Sequence, residues 1–311
     1  MLNMKRPTHR LVLASLLISI FLGGCTTAGY RAPVAQFNEA ATIVVETSRI
    51  YITQVNRVER DKYIDEQAAA GQPIALREIE TQSLLTPDDI ALRLNALDQL
   101  TRYGDLLLKL ANSDAPDAIA KQAEGLGKAV EQLSTDVNAR SGRPENKGFQ
   151  NAIGPVTSIV SQVARLAAER KIKEALDTAV KRGEKPVTDL LDVLSEETIA
   201  AYERKRNYLS RSRTWAVDAY NEEARKGERA NREALKKYAM QIKAQLDEWD
   251  TFAAARPQES LAAFAEAHVA LVAYAHSQKT PKDLNEFVGE MERFLYRAKK
   301  VEQAIKKLSN L

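Results

Sequence analysis

Apolar side chains recur at alternating steps of three and four residues along much of this chain. The most regular run misses no step, and its members are Ile119, Ala123, Leu126, Val130, Leu133 and Val137. Similar runs cover residues 37–58, 90–111 and 284–308. This spacing places an apolar stripe along one side of an α-helix, and a repeat averaging 3.5 residues is typical of helices packed along their length. No segment shows a convincing strand pattern. The sequence therefore predicts an all-α fold, an elongated antiparallel helical bundle with long, coiled-coil-like helices.

Capping residues indicate where several of these helices begin. Residues 86–89 and 280–283 each place a threonine before a proline, and acidic residues follow in the first turn. These residue types satisfy the free N–H groups of a helix start and complement the helix dipole. We expect further starts at 114–117, at 195–197 and at Pro257. The acidic pairs at 88–89 and 196–197 are interpreted in the same way, as first turns of helices.

Glycine, proline and polar residues indicate where helices end. We expect breaks near 71–73, 141–148 and 182–186, and the break at 141–148 could divide the body into two sub-bundles. Residues 195–255 contain no proline and one glycine, Gly227. Because charged residues flank Gly227 on both sides, we favour one continuous solvated helix over this range. A hinge or turn at Gly227 is the alternative.

The N-terminal segment has the order of a secretory signal peptide. Lys5, Arg6 and Arg10 precede the apolar run 11–22, and two glycines then precede Cys25, the only cysteine of the chain. The apolar run is too short to cross a ~30 Å hydrocarbon core, which takes about 20 residues. A secreted chain rarely leaves a single cysteine without a partner, which argues against an ordinary buried thiol.

The run Leu22-Gly23-Gly24-Cys25 resembles the lipobox of bacterial lipoproteins. The resemblance covers residues 1–25 only. It implies that a peptidase removes residues 1–24 and that Cys25 then carries diacylglycerol on its sulfur and a further acyl chain, such as palmitate, on its amino group. In the enterobacterial sorting scheme an aspartate after the cysteine retains the protein in the inner membrane, so Thr26 favours the outer membrane. Membrane lipid, held through acylated Cys25, is thus the first expected partner.

The resemblance also divides the chain. Residues 25–33 are expected to form a lipidated tether, which spans at most ~28 Å from Thr26 to Pro33, and residues 34–311 the helical body. Of the 45 basic residues, three lie in the leader, and removing them leaves 42, equal to the 42 acids. The mature chain then has no strong positive field, so we expect no nucleic-acid partner.

Residue patterns typical of catalytic or metal centres are scarce. Outside the leader the histidines are His268 and His276, and neither belongs to a Glu-x-x-His or His-Glu-x-x-His pattern. His268 falls on an apolar helix face, so we interpret it as a core or boundary imidazole. Residues 125–128, Gly-Leu-Gly-Lys, have Gln122 where a phosphate loop needs its first glycine, which favours close helix packing instead. We therefore expect no metal, no cofactor and no enzyme activity.

One stretch, residues 203–213, contains five basic residues and one acid. The basic residues are Arg204, Lys205, Arg206, Arg211 and Arg213. Near a membrane such a segment could contact phosphate headgroups or another anionic envelope polymer, at ~1 kcal/mol per basic side chain. The alternative is an ordinary solvated helix face.

A second stretch, residues 153–168, is unusually apolar. Its apolar members include Ile153, Val156, Ile159, Val160, Val163, Leu166 and Ala167. We interpret it as a buried core helix, because it is short for a membrane span and includes Gln162 and Arg165. A membrane-inserting tip, as in helical pore-forming toxins, is the alternative.

These observations favour a membrane-anchored envelope lipoprotein with a binding or structural role. Its long helical faces would contact another envelope protein or polymer. A membrane-active helical protein related to pore-forming toxins is the second hypothesis, and the segment 153–168 is its only support. An envelope hydrolase is the third, although the sequence offers no recognisable nucleophile, base or metal set for it.

Overall fold

The computed structural model describes residues 27–82, 85–112, 115–139, 148–149, 153 and 156–309. Within these ranges the chain is helical and contains no strand, which confirms the predicted all-α bundle. The leader and Cys25 lie outside the described residues. So does nearly all of 141–148, where a boundary between sub-bundles was expected.

The helices of the described ranges follow one another with short connections. In chain order they are α1 (Ala28–Val55), α2 (Val58–Ala70), α3 (Leu76–Thr81), α4 (Pro87–Asn112), α5 (Pro116–Ala139), α6 (Val156–Ala168), α7 (Ile172–Ala224), α8 (Arg232–Ala255), α9 (Pro257–His276) and α10 (Pro281–Ser309). The predicted starts at Pro87, Pro116, Pro257 and Pro281 are confirmed. The predicted break at 71–73 is confirmed too, because Gly71 ends α2 with a positive φ of 63°.

Contacts along α1 show how the helices run. At its N-terminal end the Tyr30 hydroxyl donates to Asp177, near the start of α7, at 3.1 Å. The Tyr30 ring also lies 4.9 Å from that of Tyr274, near the end of α9. At its other end α1 contributes to a second apolar cluster, formed by Tyr51, Val55, Val58, Leu209, Phe252, Ala255, Val301 and Ile305. Helix α7 therefore runs parallel to α1, and α9 runs antiparallel to both.

The apolar stripes predicted from the sequence form the core. All six members of the most regular stripe are buried, and they are the buried residues of α5. Every phenylalanine in the described part of the chain is buried as well: Phe37, Phe149, Phe252, Phe264, Phe287 and Phe294. Phe37, Phe264 and Phe294 contact one another at centroid distances of 5.3–5.9 Å. Aromatic packing therefore contributes to the centre of the bundle.

The apolar segment at 153–168 is part of this core. Ile153, Val160 and Val163 are buried in the main cluster, and α6 packs against α5 and α7. The interpretation as a buried core helix is thus confirmed. None of the helices in the described ranges combines the length and apolar character needed to span a membrane.

In the predicted tether, residues 25–33, the described residues 28–33 are helical and belong to α1. Helix α1 begins at Ala28, so two residues of the chain separate it from Cys25. Tyr30 is buried because its ring packs on Tyr274 while its hydroxyl bonds to Asp177. The helical body therefore starts at Ala28 and not at residue 34.

The predicted break at 182–186 and the predicted helix start at Ser195 are both wrong, because α7 runs through both positions. Pro186 lacks an N–H, and its ring crowds the carbonyl of Arg182, which normally interrupts a helix. In α7, the packing of buried residues before and after Pro186 outweighs that cost. The buried residues nearest to Pro186 are Ala179, Val180, Gly183, Val187, Leu190 and Leu191.

The helix expected to run without a break over 195–255 is interrupted at Gly227. This glycine has a positive φ of 59°. The conformation costs glycine little free energy because glycine has no Cβ atom. Asn231 then caps α8, since its side chain accepts from the N–H groups of Glu233 and Ala234 at 3.0 and 3.2 Å. Helices α7 and α8 thus form a hairpin that has no buried residue between Ala216 and Phe252.

His268 was predicted to be a core or boundary imidazole, and the structure places it in the core. It is fully buried, and its Nε2 lies 3.0 Å from the Tyr103 hydroxyl. Burial lowers the pKa of His268 from 6.5 to about 4. The folded protein therefore holds this imidazole neutral at pH values where the unfolded chain protonates it.

We expect this difference to make stability depend on pH. Between pH 6.5 and 4 the unfolded state binds the extra proton, so stability is complete above pH 6.5 and falls as the pH falls. The shift predicts a loss of ~2 kcal/mol between pH 7 and pH 5. Urea unfolding at both pH values measures this loss, and His268→Gln should remove most of the difference. An equally large difference in the variant would contradict the assignment to His268.

Candidate functional site

A cleft of about 300 Å³ opens between α1, the start of α4 and the middle of α7. Its lining residues are Tyr51, Ile52, Val55, Leu85, Asp89, Arg93, Leu194, Glu197, Thr198, Ala200, Ala201 and Arg204. This volume is at the lower end of the range for small-molecule sites. A second, almost wholly apolar cavity beneath α6 holds only about 50 Å³. The cleft therefore has room for a small ligand, which the apolar cavity lacks.

The start of α4 positions one wall of the cleft. The Thr86 hydroxyl donates to Asp89 Oδ2 at 2.7 Å, and the Asp89 N–H donates back to the Thr86 hydroxyl at 3.2 Å. The N–H of Leu85 donates to the side-chain oxygen of Asn56, just after α1, at 2.6 Å. These bonds fix the first turn of α4 against α1, so Arg93, one turn later, faces α7.

Arg93 and Glu197 form a two-pronged ion pair across the cleft. The Arg93 Nε donates to Glu197 Oε2 at 2.7 Å, and Nη2 donates to Oε1 at 2.5 Å. Arg93 Nη1 also donates to the carbonyl oxygen of Asp89 at 2.9 Å, and the arginine is only 3% exposed. Paired geometry of this kind compensates much of the cost of burying the charge. Glu197 therefore joins α7 to α4 and does not mark a helix start.

The Tyr51 hydroxyl makes no hydrogen bond with any side chain or backbone group that the structure describes. The side chain is 1% exposed, and its hydroxyl has no hydrogen-bond partner among the described residues. Burial raises the pKa of this phenol, so it stays protonated and can donate. A buried hydroxyl without a partner costs ~1–3 kcal/mol, and such groups are few in folded proteins. Tyr51 thus lines the cleft and carries a hydroxyl that has no partner among the described residues.

The structure brings one of the five predicted basic residues to this cleft. Arg204 lines the cleft, its side chain is 55% exposed, and its Nη1 lies 3.9 Å from the Glu59 carboxylate. Lys205 instead pairs with Glu248 at 3.0 Å, and Arg206 is paired within its own helix. Arg204 therefore has the charge in this segment most open to a ligand at the cleft.

The two remaining basic residues lie further along α7. Arg213 stacks on Trp249, with its guanidinium carbon 3.6 Å from the ring centroid, which joins α7 to α8. Arg211 is exposed. Most of this segment is thus engaged with neighbouring side chains, and it does not present five free cations on one surface.

Other candidate sites from the sequence have structural roles. A Cβ atom added at Gly127 would lie 3.3 Å from Val160, so Gly127 permits the predicted close packing of α5 on α6, whereas a Cβ atom at Gly125 would have no neighbour within 4 Å. His276 is exposed at the end of α9, remote from the buried His268. In the described ranges no group of three or more His, Cys, Asp or Glu side chains is placed to hold a metal ion.

Comparison with known protein families, with curated proteins and with solved structures finds no match for this chain.

Proposed function

We propose that this chain is a membrane-anchored lipoprotein of the bacterial envelope and that its helical body acts by binding. The observation that carries the proposal is the Leu22-Gly23-Gly24-Cys25 run behind a basic and then apolar leader. Acyl chains contribute ~0.8 kcal/mol per buried methylene, so a triacylated Cys25 would be held in the membrane almost permanently. As Thr26 follows the cysteine, the outer membrane is the favoured location.

The position of α1 relative to Cys25 supports a defined geometry. Only two residues separate Cys25 from Ala28, where α1 begins, so an acylated cysteine would hold that end of the bundle close to the lipid. The 28 residues of α1 span ~42 Å at 1.5 Å per residue. The cleft beside Tyr51 and the α7–α8 hairpin lie toward the other end of α1 and would therefore be directed away from the anchor.

Exposed side chains on that hairpin support a binding role. Trp215, Met240 and Leu246 are 45%, 67% and 46% exposed, and large apolar side chains of this kind are common at protein contacts. We propose that the partner is another envelope protein or polymer and that no nucleic acid is involved. We propose no catalytic role, because Arg93 and Glu197, the closest charged pair of the cleft, are engaged with each other.

Cys25→Ala tests the anchor. We expect this variant to accumulate as an uncleaved or mislocalised precursor, because it lacks the sulfur that carries the diacylglycerol. The measurement is fractionation of cells followed by immunoblotting for apparent mass and location. Thr26→Asp is a matched control that keeps the cysteine and should remain membrane-bound. Normal processing and normal membrane fractionation of Cys25→Ala would show that the anchor proposal is wrong.

A further inference from the structure

The cleft beside Tyr51 has the mixed lining of a site for a small amphipathic molecule. Apolar side chains from α1 and α7 form its walls, including Ile52, Val55 and Leu194. Polar and charged side chains complete the lining: Asp89, Arg93, Glu197, Thr198 and Arg204. Ligand sites are typically mostly apolar with a few polar groups that fix the orientation of the ligand.

The charges of the lining indicate which head group would fit. Arg93 and Glu197 neutralise each other through two short hydrogen bonds, and Asp89 accepts from the Thr86 hydroxyl. Arg204 is the most exposed charge of the lining, since more than half of its side chain is exposed, and its contact with Glu59 is 3.9 Å long. An exposed guanidinium with only a long contact to a protein carboxylate favours a carboxylate ligand, to which it can donate two parallel hydrogen bonds.

From these features we propose that the cleft binds a small amphipathic carboxylate. The apolar part lies against Ile52, Val55 and Leu194, the carboxylate contacts the Arg204 guanidinium, and the Tyr51 hydroxyl donates to a ligand oxygen. This site is independent of the lipid anchor, because α1, the start of α4 and α7 form all of it. If the cleft does not bind a carboxylate, the proposed envelope location is therefore unaffected.

The test uses three probes that share one apolar group and differ in charge: 3-phenylpropionate, 3-phenylpropanol and 3-phenylpropylamine. Binding to the full chain in phosphatidylcholine nanodiscs is followed by ligand-observed NMR, with empty nanodiscs as the blank. We expect saturable binding of the carboxylate with a Kd on the order of 1 mM or tighter. The alcohol and the amine should bind about tenfold more weakly, because neither replaces the charge-assisted contact.

Variants locate the binding. Arg204→Gln should weaken carboxylate binding about tenfold, whereas Arg206→Gln, two residues further along α7 and paired with Glu203, should not. Ala200→Phe should abolish binding, because Ala200 lines the cleft and is exposed, so a larger side chain can occupy the cleft without entering the core.

Tyr51→Phe separates a ligand contact from a structural role. Removing a hydroxyl that has no partner within the described ranges should raise the unfolding temperature of the free protein and yet weaken carboxylate binding. Tyr208→Phe is the control, since its hydroxyl donates to Asp65 at 2.9 Å and lies outside the cleft lining. It should lower the unfolding temperature without changing binding. Absence of saturable binding, tighter binding of the amine, or unchanged binding in Ala200→Phe would overturn the proposal.

Discussion

Val130→Asp is expected to lower the free energy of unfolding by several kcal/mol. Val130 is 2% exposed at the centre of the α5 stripe and belongs to the main core cluster. A carboxylate there would lose its hydration without gaining a cation, and burial of such a charge is among the most destabilising single changes. The measurement is urea unfolding followed by circular dichroism.

Lys128→Asp is the control for that variant. It lies in the same helix on the exposed side, so it introduces the same carboxylate without burying it. We expect a change within about 0.5 kcal/mol. Similar unfolding midpoints for Val130→Asp and Lys128→Asp would mean that the α5 stripe does not face the core.

Glu197→Leu is expected to cost about 3 kcal/mol of stability. The substitution leaves the buried Arg93 guanidinium without the carboxylate that accepts two of its hydrogen bonds. The bond from Arg93 to the Asp89 carbonyl remains but does not neutralise the charge. Because Glu197 is itself partly exposed, some water can reach the site, and the cost lies at the lower end of the range for buried pairs.

A double variant tests whether this loss comes from the uncompensated charge. Arg93→Met combined with Glu197→Leu removes both charges and should recover most of the stability, because apolar replacements of buried pairs are often neutral. Glu203→Leu breaks an exposed pair with Arg206 in the same helix and should cost less than about 1 kcal/mol. A double variant as unstable as Glu197→Leu would contradict this explanation.

The fold could be predicted from the sequence to the extent that local patterns determine it. Two predicted features depend only on residues close together in the chain: the stripe from Ile119 to Val137 and the helix starts at four prolines. The structure confirms both features. The helix through Pro186 depends instead on packing partners from other helices, which outweigh the local cost of a proline. The turn at Gly227 had a local signal, since Asn231 is a good capping residue, but the charged residues around it favoured a continuous helix.

The candidate site was much harder to predict. Its polar residues come from three segments distant in sequence: Tyr51 from α1, Asp89 and Arg93 from α4, and Glu197 and Arg204 from α7. Glu197 had the local pattern of a first helical turn, and only the fold reveals its pairing with an arginine 104 positions earlier. Tyr51 belonged to an apolar stripe, and periodicity alone carries no information about a hydroxyl that lacks a partner among the described residues. Arg204 was the one member identified in advance, from its basic neighbours.

Mass spectrometry of the N-terminal peptide, prepared from the membrane fraction of the native host, tests the central claim most directly. We expect a chain that begins at Cys25 and carries a thioether-linked diacylglycerol and an acylated amino group. An unmodified cysteine, or a chain that still begins at Met1, would contradict it.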